Sequence, residues 1–307
     1  MTRLTIPEED GVATRPPWAC PFCRAVLNEG HCGACGRVYP VSATGQPDFR
    51  IVEPVSITHT YRYDPSFGRF PWDRVRLEWP NARSGLRVDS KWALIERYML
   101  GVLPHAKSGQ IALDIGCGEN HQRFRDGLTQ LGYTPVGIDI EGRSPDALAD
   151  AHRLPFLDSS VDVVMTSAVF EHLKNPHVAM AEIARVVRPG GLVVGSIAFG
   201  EPFHISYFHH SPLGVFDLLD SNGLEGDIFV LSDAYNAIHA HLEMGYAGLR
   251  ISRRLHRPIA DIFRHLLIFP ARIKSVATRS PGCVREARLA FARSHAASVG
   301  FLAHRHK

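Results

Sequence analysis

The sequence lacks the features that would mark a membrane-spanning, secreted or disordered chain. None of its apolar runs approaches the roughly 20 residues that a transmembrane helix needs. The first 18 residues are acidic and Pro-rich and contain no apolar core of a signal peptide, so we expect a cytoplasmic protein. Hydrophobic residues make up 45% and charged residues 21% of the chain. This composition is ordinary for a globular protein and argues against disorder.

The chain also has little net charge, but the charge that it has is unevenly placed. The formal net charge is +3 over 307 residues. Residues 250–307 contain 13 Lys or Arg residues and only two acidic ones, a net of +11, whereas residues 1–249 carry a net of −8. The C-terminal fifth of the chain is therefore expected to form a distinct basic surface.

Four of the six cysteines lie within 16 residues, as the pairs Cys20/Cys23 and Cys32/Cys35. Two Cys-x-x-Cys pairs direct four thiolates at one tetrahedral ion, so the spacing predicts a zinc site. Four thiolates leave no open position for catalysis, which makes the zinc structural. Disulfides are the alternative, and the absence of a signal peptide argues against them. The adjacent His31 could replace a ligand, but four cysteines favour a bystander role for it.

The residues after these cysteines read Val38-Tyr39-Pro40-Val41 and then Gly45-Gln46-Pro47-Asp48-Phe49. Residues 18–50 resemble the small Trm112-like zinc ribbons that are fused to methyltransferases or act as their partners. The resemblance implies a ribbon with a structural zinc, whose binding energy a domain this small needs in order to fold.

A glycine turn follows a short apolar segment in the middle of the chain. Residues 111–115 are a strand pattern, and Gly116-Cys117-Gly118 leads into a helical pattern, which is the opening of a dinucleotide-type α/β fold. The position of the third glycine of the dinucleotide fingerprint is occupied by His121, and no Gly-Lys-Ser/Thr follows. Asp114 instead favours a ligand with a cationic end, such as the amino acid portion of S-adenosylmethionine.

Further motifs follow in order. A second strand ends at Asp139, where an acid can accept both hydroxyls of a ribose. Asp150 could then accept from an adenine amino group while the backbone of Ala151 pairs with the ring edge. A fourth strand pattern leads into Phe170-Glu171-His172-Leu173, and Arg188-Pro189-Gly190-Gly191 precedes a fifth.

This ordered set resembles the class I S-adenosylmethionine-dependent methyltransferases, of the type 11 kind, over about residues 90–230. The resemblance implies a Rossmann-like α/β fold with S-adenosylmethionine as cofactor. It implies that Asp114, Gly116 and Gly118 hold the methionine end, Asp139 the ribose, and Asp150 with Ala151 the adenine. Cys117, Ile140 and Ser167 complete the predicted cofactor-binding set, with Cys117 only filling space in the loop.

A methyltransferase must align its acceptor and, for oxygen acceptors, remove a proton. The candidate bases are Glu171 and His172 after the fourth strand, and His204, His209 and His210 after the fifth. His172 also fits a scaffold role, because its motif occurs in relatives with many acceptors. The three later histidines could hold a metal, but no adjacent carboxylate completes a ligand set.

The acceptor that we predict is a small molecule, such as a natural product, sugar or quinone-like compound, methylated at oxygen or nitrogen. The alternative is ribosomal or transfer RNA, contacted through the zinc ribbon. Against RNA, the chain has no Asn/Asp-Pro-Pro-Tyr/Phe motif after the fourth strand and no Pro-Cys nucleophile. A protein or lipid acceptor and a non-catalytic activating partner remain open, although the intact acids of the cofactor site weigh against the latter.

Two flanking regions have less specific patterns. Aromatic residues cluster from Tyr61 to Trp79 and either pack the ribbon onto the next domain or form a lid over the acceptor pocket. The pattern from Ser90 to Leu103 predicts an amphipathic helix. The aromatic residues of the cluster are Tyr61, Tyr63, Phe67, Phe70, Trp72 and Trp79.

The basic end combines cations with apolar stripes. Residues 259–269 and 284–296 predict two amphipathic helices with arginines on their polar faces. Such helices can pack on the enzyme core, lie on an anionic membrane or contact RNA phosphates. The domain division predicted from the sequence is a zinc ribbon at 1–50, a linker or lid with a leading helix at 51–108, a methyltransferase domain at 109–249 and a helical basic C-terminal extension at 250–307.

Overall fold

The structure is a computed structural model. It describes residues 16–56, 70–76, 79, 93–119, 122–200, 205–230, 237–238, 242, 253–278, 280 and 282–306. Within these ranges no helix is both long enough and apolar enough to cross a bilayer.

Ten strands lie in the described part of the chain. They are β1 (Leu27–Asn28), β2 (His31–Cys32), β3 (Val75–Arg76), β4 (Ile111–Ile115), β5 (Thr134–Asp139), β6 (Ala147–Leu148), β7 (Val161–Ser167), β8 (Val187–Ala198), β9 (Leu224–Val230) and β10 (Ser298–Arg305). Strands β1 and β2 form a hairpin in the ribbon, and the other eight form one sheet in the order β3-β9-β10-β8-β7-β4-β5-β6.

The centre of the sheet is parallel and buried on both faces. Strands β5, β4, β7 and β8 run parallel to one another. All five residues of β4 are buried, and so are six of the seven residues of β7. This explains why these segments appear in the sequence as continuous apolar runs and not as alternating ones.

Helices cover both faces of the sheet. The helices of the described part are α1 (Ala93–Gly101), α2 (Gln122–Gln130), α3 (Pro176–Val186), α4 (Pro212–Asp220), α5 (Arg253–Thr278) and α6 (Gly282–His295). Trp72–Arg74 and Phe170–His172 are short 3₁₀ turns. Helices α1 and α2 pack on one face, where Met99 and Leu128 are buried, and α3 and α4 pack on the other, where Ile183 and Phe216 are buried. The predicted α/β architecture is confirmed.

The Arg-Pro-Gly-Gly motif has a structural role in this sheet. The Arg188 guanidinium is 2.8 Å from the Asp162 carboxylate, which also accepts from the backbone N–H of Ile111. A Cβ atom at Gly191 would lie 2.8 Å from the carbonyl oxygen of Asp162, so the two neighbouring strands leave no room for a side chain there.

The structure corrects one predicted domain boundary. Residues 298–305 do not belong to a C-terminal extension, because β10 pairs antiparallel with β8 on one side and with β9 on the other. Both predicted basic helices form, but the first runs from Arg253 to Thr278 through Pro258 and Pro270 and does not end before Pro270. Both lie within an insertion between β9 and β10. The sequence pattern could not show this, since a strand that returns to a sheet after about 70 residues carries no local signal of its partners.

Two of the three described aromatic residues of the linker, Phe70 and Trp79, pack against the core, whereas Trp72 is 49% exposed and packs on Phe70. Phe70 contacts Phe216 with ring centroids 6.2 Å apart, and Trp79 lies 4.3 Å from Phe229. Trp79 is only 9% exposed. The other members of the cluster, Tyr61, Tyr63 and Phe67, lie outside the described residues.

We expect the core contact of β10 to dominate the stability of the sheet. Phe301 is fully buried against Gly195 of β8, where a Cβ atom would lie 2.4 Å from its Cζ atom. Phe301→Ala should therefore lower the free energy of unfolding by about 3–5 kcal/mol. Denaturant unfolding measures this loss, with Val52→Ala as a control because Val52 is 95% exposed. A loss below about 1 kcal/mol would contradict the placement of β10.

Candidate functional site

The carboxyl ends of β4 and β5 bring the glycine turn and Asp139 together. The Asp139 carboxylate accepts from the backbone N–H of Gly118 at 2.8 Å and from that of Ile140 at 2.7 Å. Gly118 donates to Oδ2, whereas Ile140 and, at 3.4 Å, Glu141 donate to Oδ1. A carboxylate oxygen can accept more than one hydrogen bond. Asp139 therefore orders the turn and keeps acceptor capacity for the hydroxyls of a ribose.

The two glycines of the turn are required for different reasons. Gly116 has φ +69°, and a Cβ atom there would lie 2.4 Å from Cγ2 of Val169, which follows β7. Gly118 has φ +67°, but a Cβ atom there would have no neighbour within 4 Å, so there is space beside it. Only glycine adopts both conformations readily, and the open side of Gly118 suits close approach of a ligand to the backbone.

The interior of the turn is electronegative. Asp114 is 2% exposed at the end of β4. Burial, and then the negative charges of Asp114 and Asp139, raise the pKa of the Cys117 thiol far above its ordinary value. Cys117 is therefore a neutral, space-filling side chain, and the surrounding carboxylates favour a ligand with positive charge at its centre.

Asp150 and Ala151 follow β6 beside this turn. One oxygen of Asp150 accepts from the backbone N–H of His152 at 2.9 Å and lies 2.6 Å from its Nδ1 atom. Burial raises the pKa of Asp150, but these bonds from His152 more than offset it, so the pKa lies below its ordinary value. The carboxylate is therefore ionised at neutral pH and available as a hydrogen-bond acceptor.

Ser167 is the last residue of β7 and lies beside β8. Its hydroxyl is 3.0 Å from that of Ser196, and the next residue, Ala168, has φ +55°. The backbone N–H of Ala168 donates to the carbonyl of Ser196. This strained corner turns the chain from β7 towards Glu171 and His172.

The predicted base candidates lie in two segments that are tied to each other. The carbonyl of Glu171 accepts from the backbone N–H of Tyr207 at 2.7 Å, and the Nδ1 atom of His172 contacts the carbonyl of Ile205. The Nε2 atom of His210 lies 3.4 Å from the carbonyl of Phe170. The structure therefore brings four of the five candidates to one edge of the sheet.

The individual candidates differ in their surroundings. Glu171 is 1% exposed, whereas His209 is exposed and its Nε2 atom lies 2.9 Å from the Ser206 hydroxyl. Burial lowers the pKa of His210, although its hydrogen bond to Phe170 opposes this shift. His210 is therefore neutral at neutral pH. His204 lies outside the described residues.

The four ribbon cysteines converge. Their sulfur atoms all lie within 4.8 Å of one another, with 3.7 Å between Cys20 and Cys35 and 3.4 Å between Cys23 and Cys32. Tetrahedral zinc with sulfur ligands has S···S separations of about 3.8 Å, so this donor set fits a zinc ion. The hydroxyl of Tyr39 lies 3.0 Å from the Cys20 sulfur, which fixes that ligand from outside the set.

Sequence reasoning missed the contact between the ribbon and the cofactor site. Arg50, at the end of the ribbon, donates to the carbonyl of Ile140 at 3.0 Å, directly beside Asp139. Gln46 donates to the carbonyl of Pro145 at 2.9 Å in the same loop. These residues are 90 or more positions apart in the chain, and no local pattern indicates their pairing.

The sequence is similar to those of known methyltransferases. Residues 113–195 match the methyltransferase domain family. The chain is 28% identical over 198 residues to a protein of Mycolicibacterium smegmatis described as a probable S-adenosylmethionine-dependent methyltransferase, and the match covers 58% of this chain and 76% of that protein. An uncharacterized methyltransferase of Mycobacterium avium is 37% identical over 98 residues, which cover 28% of this chain and 39% of its own length.

Among solved structures, phosphoethanolamine N-methyltransferase 2 of Haemonchus contortus in complex with S-adenosyl-L-methionine is similar with a TM-score of 0.43 and 18% identity, over 69% of this chain and 52% of that one. Residues 113–195 therefore form a methyltransferase domain, and the similarities support a class I S-adenosylmethionine-dependent methyltransferase. The match ends within β8, so β9 and β10 lie beyond the matched residues.

We expect Asp139→Ala to weaken S-adenosylmethionine binding by about tenfold to a hundredfold, because two backbone N–H groups and the ribose hydroxyls lose their acceptor. Isothermal calorimetry measures the affinity. Glu141→Ala is the matched control, since this exposed acid lies two residues away. Equal affinities for the Asp139 variant and the wild type would contradict the assignment.

Proposed function

We propose that the protein transfers the methyl group of S-adenosylmethionine to a small, largely apolar organic acceptor. When bound, S-adenosylmethionine supplies a methyl group already activated by the adjacent sulfonium. Asp114 and the Gly116–Gly118 turn would hold its methionine end, Asp139 its ribose, and Asp150 with Ala151 its adenine. The protein must then exclude water, align the acceptor and accept a proton.

The observation that carries this proposal is the apolar segment beside Glu171 and His172. Ile205, Tyr207 and Phe208 are 89%, 60% and 44% exposed, yet their backbone is bonded to the 170–172 turn. Exposed apolar side chains on an anchored segment at the carboxyl edge of the sheet form a surface for an apolar ligand. They are a poor surface for the phosphates of RNA, which favour cationic and polar contacts.

His210 is the proton acceptor that we favour. Its Nε2–H donates to the carbonyl of Phe170, which leaves the lone pair on Nδ1 to accept a proton. Its lowered pKa keeps the ring neutral at neutral pH. The basic form is thus present when the pH is above the lowered pKa and is lost as the pH falls through it.

The acceptor class can be identified by label transfer. Purified protein is incubated with methyl-labelled S-adenosylmethionine and a total cell extract, and the extract is then separated into organic-soluble, RNA and protein fractions. We expect the label in the organic-soluble fraction and unaffected by ribonuclease, because the exposed segment at the site is apolar. Asp139→Ala should abolish most of this transfer.

The same assay tests His210 against its neighbour. With an oxygen acceptor, His210→Gln should lower kcat by about 10²–10⁴-fold, whereas His209→Gln should change it little. The acid limb of kcat/KM in the wild type should lie below the pH of about 6.5 that an ordinary histidine gives.

Label that appears in RNA and disappears with ribonuclease would refute the small-molecule proposal.

We further propose that the four ribbon cysteines bind one structural zinc. The short separations of the four sulfur atoms support this. Four thiolates would also fill a tetrahedral zinc site and leave no coordination position for a substrate. Trp18 packs with ring centroids 5.0 Å from both Phe49 and Phe156, so the ribbon is joined to the methyltransferase core. A zinc that orders the ribbon therefore also orders Arg50 beside the cofactor loop.

Metal analysis of the purified protein should give about one zinc per chain. Cys20→Ser should lose the zinc and lower the melting temperature, because the ribbon cannot bury enough core to fold without it. Cys283→Ser is the matched control, since this cysteine lies on α6 away from the cluster. A metal-free protein with an ordered ribbon would disprove the assignment.

A further inference from the structure

Helix α5 exposes an apolar face that nothing in the described structure covers. Its 26 residues extend about 39 Å. The exposed apolar side chains are related mostly by separations of three, four or seven residues, which places them on about one half of the helix circumference. They are Leu255, Ile262, Phe263, Leu266, Leu267, Phe269, Ile273 and Val276, each between 49% and 81% exposed.

The other side of α5 faces inward. Helix α5 packs on α6, and Ala260 and Ile268 of α5 and Phe291 of α6 are buried. The exposed apolar face is therefore additional to the face that stabilises the hairpin. A monomeric soluble protein rarely leaves a contiguous stripe of this kind in water.

Cations flank the exposed apolar face. Arg272 and Lys274 are exposed on its two sides, and α5 contains six Lys or Arg residues in total. The single acid of the helix, Asp261, lies 3.3 Å from Arg264 and is thereby compensated. An apolar stripe bordered by long cationic side chains is complementary to anionic lipid headgroups above acyl chains.

The topology places both ends of the insertion that contains α5 at the carboxyl edge of the sheet. The insertion leaves the sheet after Val230 and returns at Ser298, which pairs with Ala198 at the carboxyl end of β8. The backbone N–H groups of Phe199 and Gly200 donate to the carbonyl of Ala297. Both ends of the insertion are thus joined to the edge of the sheet that carries Ser167 and the glycine turn.

We propose that the exposed face of α5 binds the surface of an anionic membrane, with the apolar side chains in the acyl boundary and Arg272 and Lys274 at the headgroups. The contact lies parallel to the bilayer and does not cross it. It also holds the carboxyl edge of the sheet near the bilayer, where an amphiphilic acceptor is concentrated. That last consequence rests on the proposed function, whereas the membrane contact itself does not.

Vesicle co-sedimentation of the full chain tests the contact at about 0.15 M salt. Vesicles of phosphatidylcholine alone are compared with vesicles that also contain phosphatidylglycerol. We expect binding to the anionic vesicles and little to the neutral ones. Leu266→Gln/Ile273→Gln should lower the partition coefficient at least about tenfold, because two apolar side chains no longer enter the bilayer.

Val26→Gln/Val52→Gln is the matched control, since these valines are 65% and 95% exposed but lie in and after the ribbon. It should bind vesicles like the wild type. Circular dichroism and S-adenosylmethionine affinity should be unchanged in both variants, which separates a failure of the membrane contact from a failure of the methyltransferase assignment.

Three results would overturn the proposal. One is absence of binding to anionic vesicles, and another is binding that the α5 variant leaves intact. The third is a different occupant of the stripe: a dimer in sedimentation experiments that the α5 variant converts to a monomer, or RNA binding with steep salt dependence that the same variant abolishes.

Discussion

The pairing of β10 between β8 and β9 is the constraint on which the rest of the structure depends. It joins the last residues of the chain to the centre of the sheet through two antiparallel ladders. Phe301 fills the space that Gly195 leaves open. Because β10 starts at the carboxyl edge of the parallel strands, everything between β9 and β10 must also leave and re-enter at that edge. The insertion that contains the basic helices is thereby attached at the edge that carries the candidate cofactor site.

The cofactor site combines a rigid turn with concentrated negative charge. Asp139 bonds to the backbone of the turn, so the same carboxylate that is assigned to the ribose also fixes Gly118. Asp114 lies buried at the end of the neighbouring strand. This arrangement stabilises a ligand with a cationic centre and suppresses ionisation of Cys117. The residue assigned to ligand binding is therefore also one that orders the turn.

The ribbon is part of the methyltransferase structure and not an appended module. Trp18 and Phe49 enter the same core as Phe156, and Arg24 lies 3.1 Å from the buried Glu182. Glu182 also accepts from the backbone N–H of Leu154, close to the predicted adenine-binding residues. Ordering of the ribbon by a metal would thus be transmitted through packed aromatic rings and buried polar contacts to the loops around the cofactor.

Local patterns in the sequence determined the α/β class, the strand and turn that carry Asp114 and Asp139, and the converging cysteine pairs, because each depends on spacing within a few residues. The tertiary structure alone decided features that depend on distant partners. It placed residues 298–305 in the sheet, buried Trp79 against Phe229, and joined Arg50 to Ile140. It also decided which side of α5 remains exposed, since periodicity shows that a helix has an apolar stripe but not whether the fold covers it.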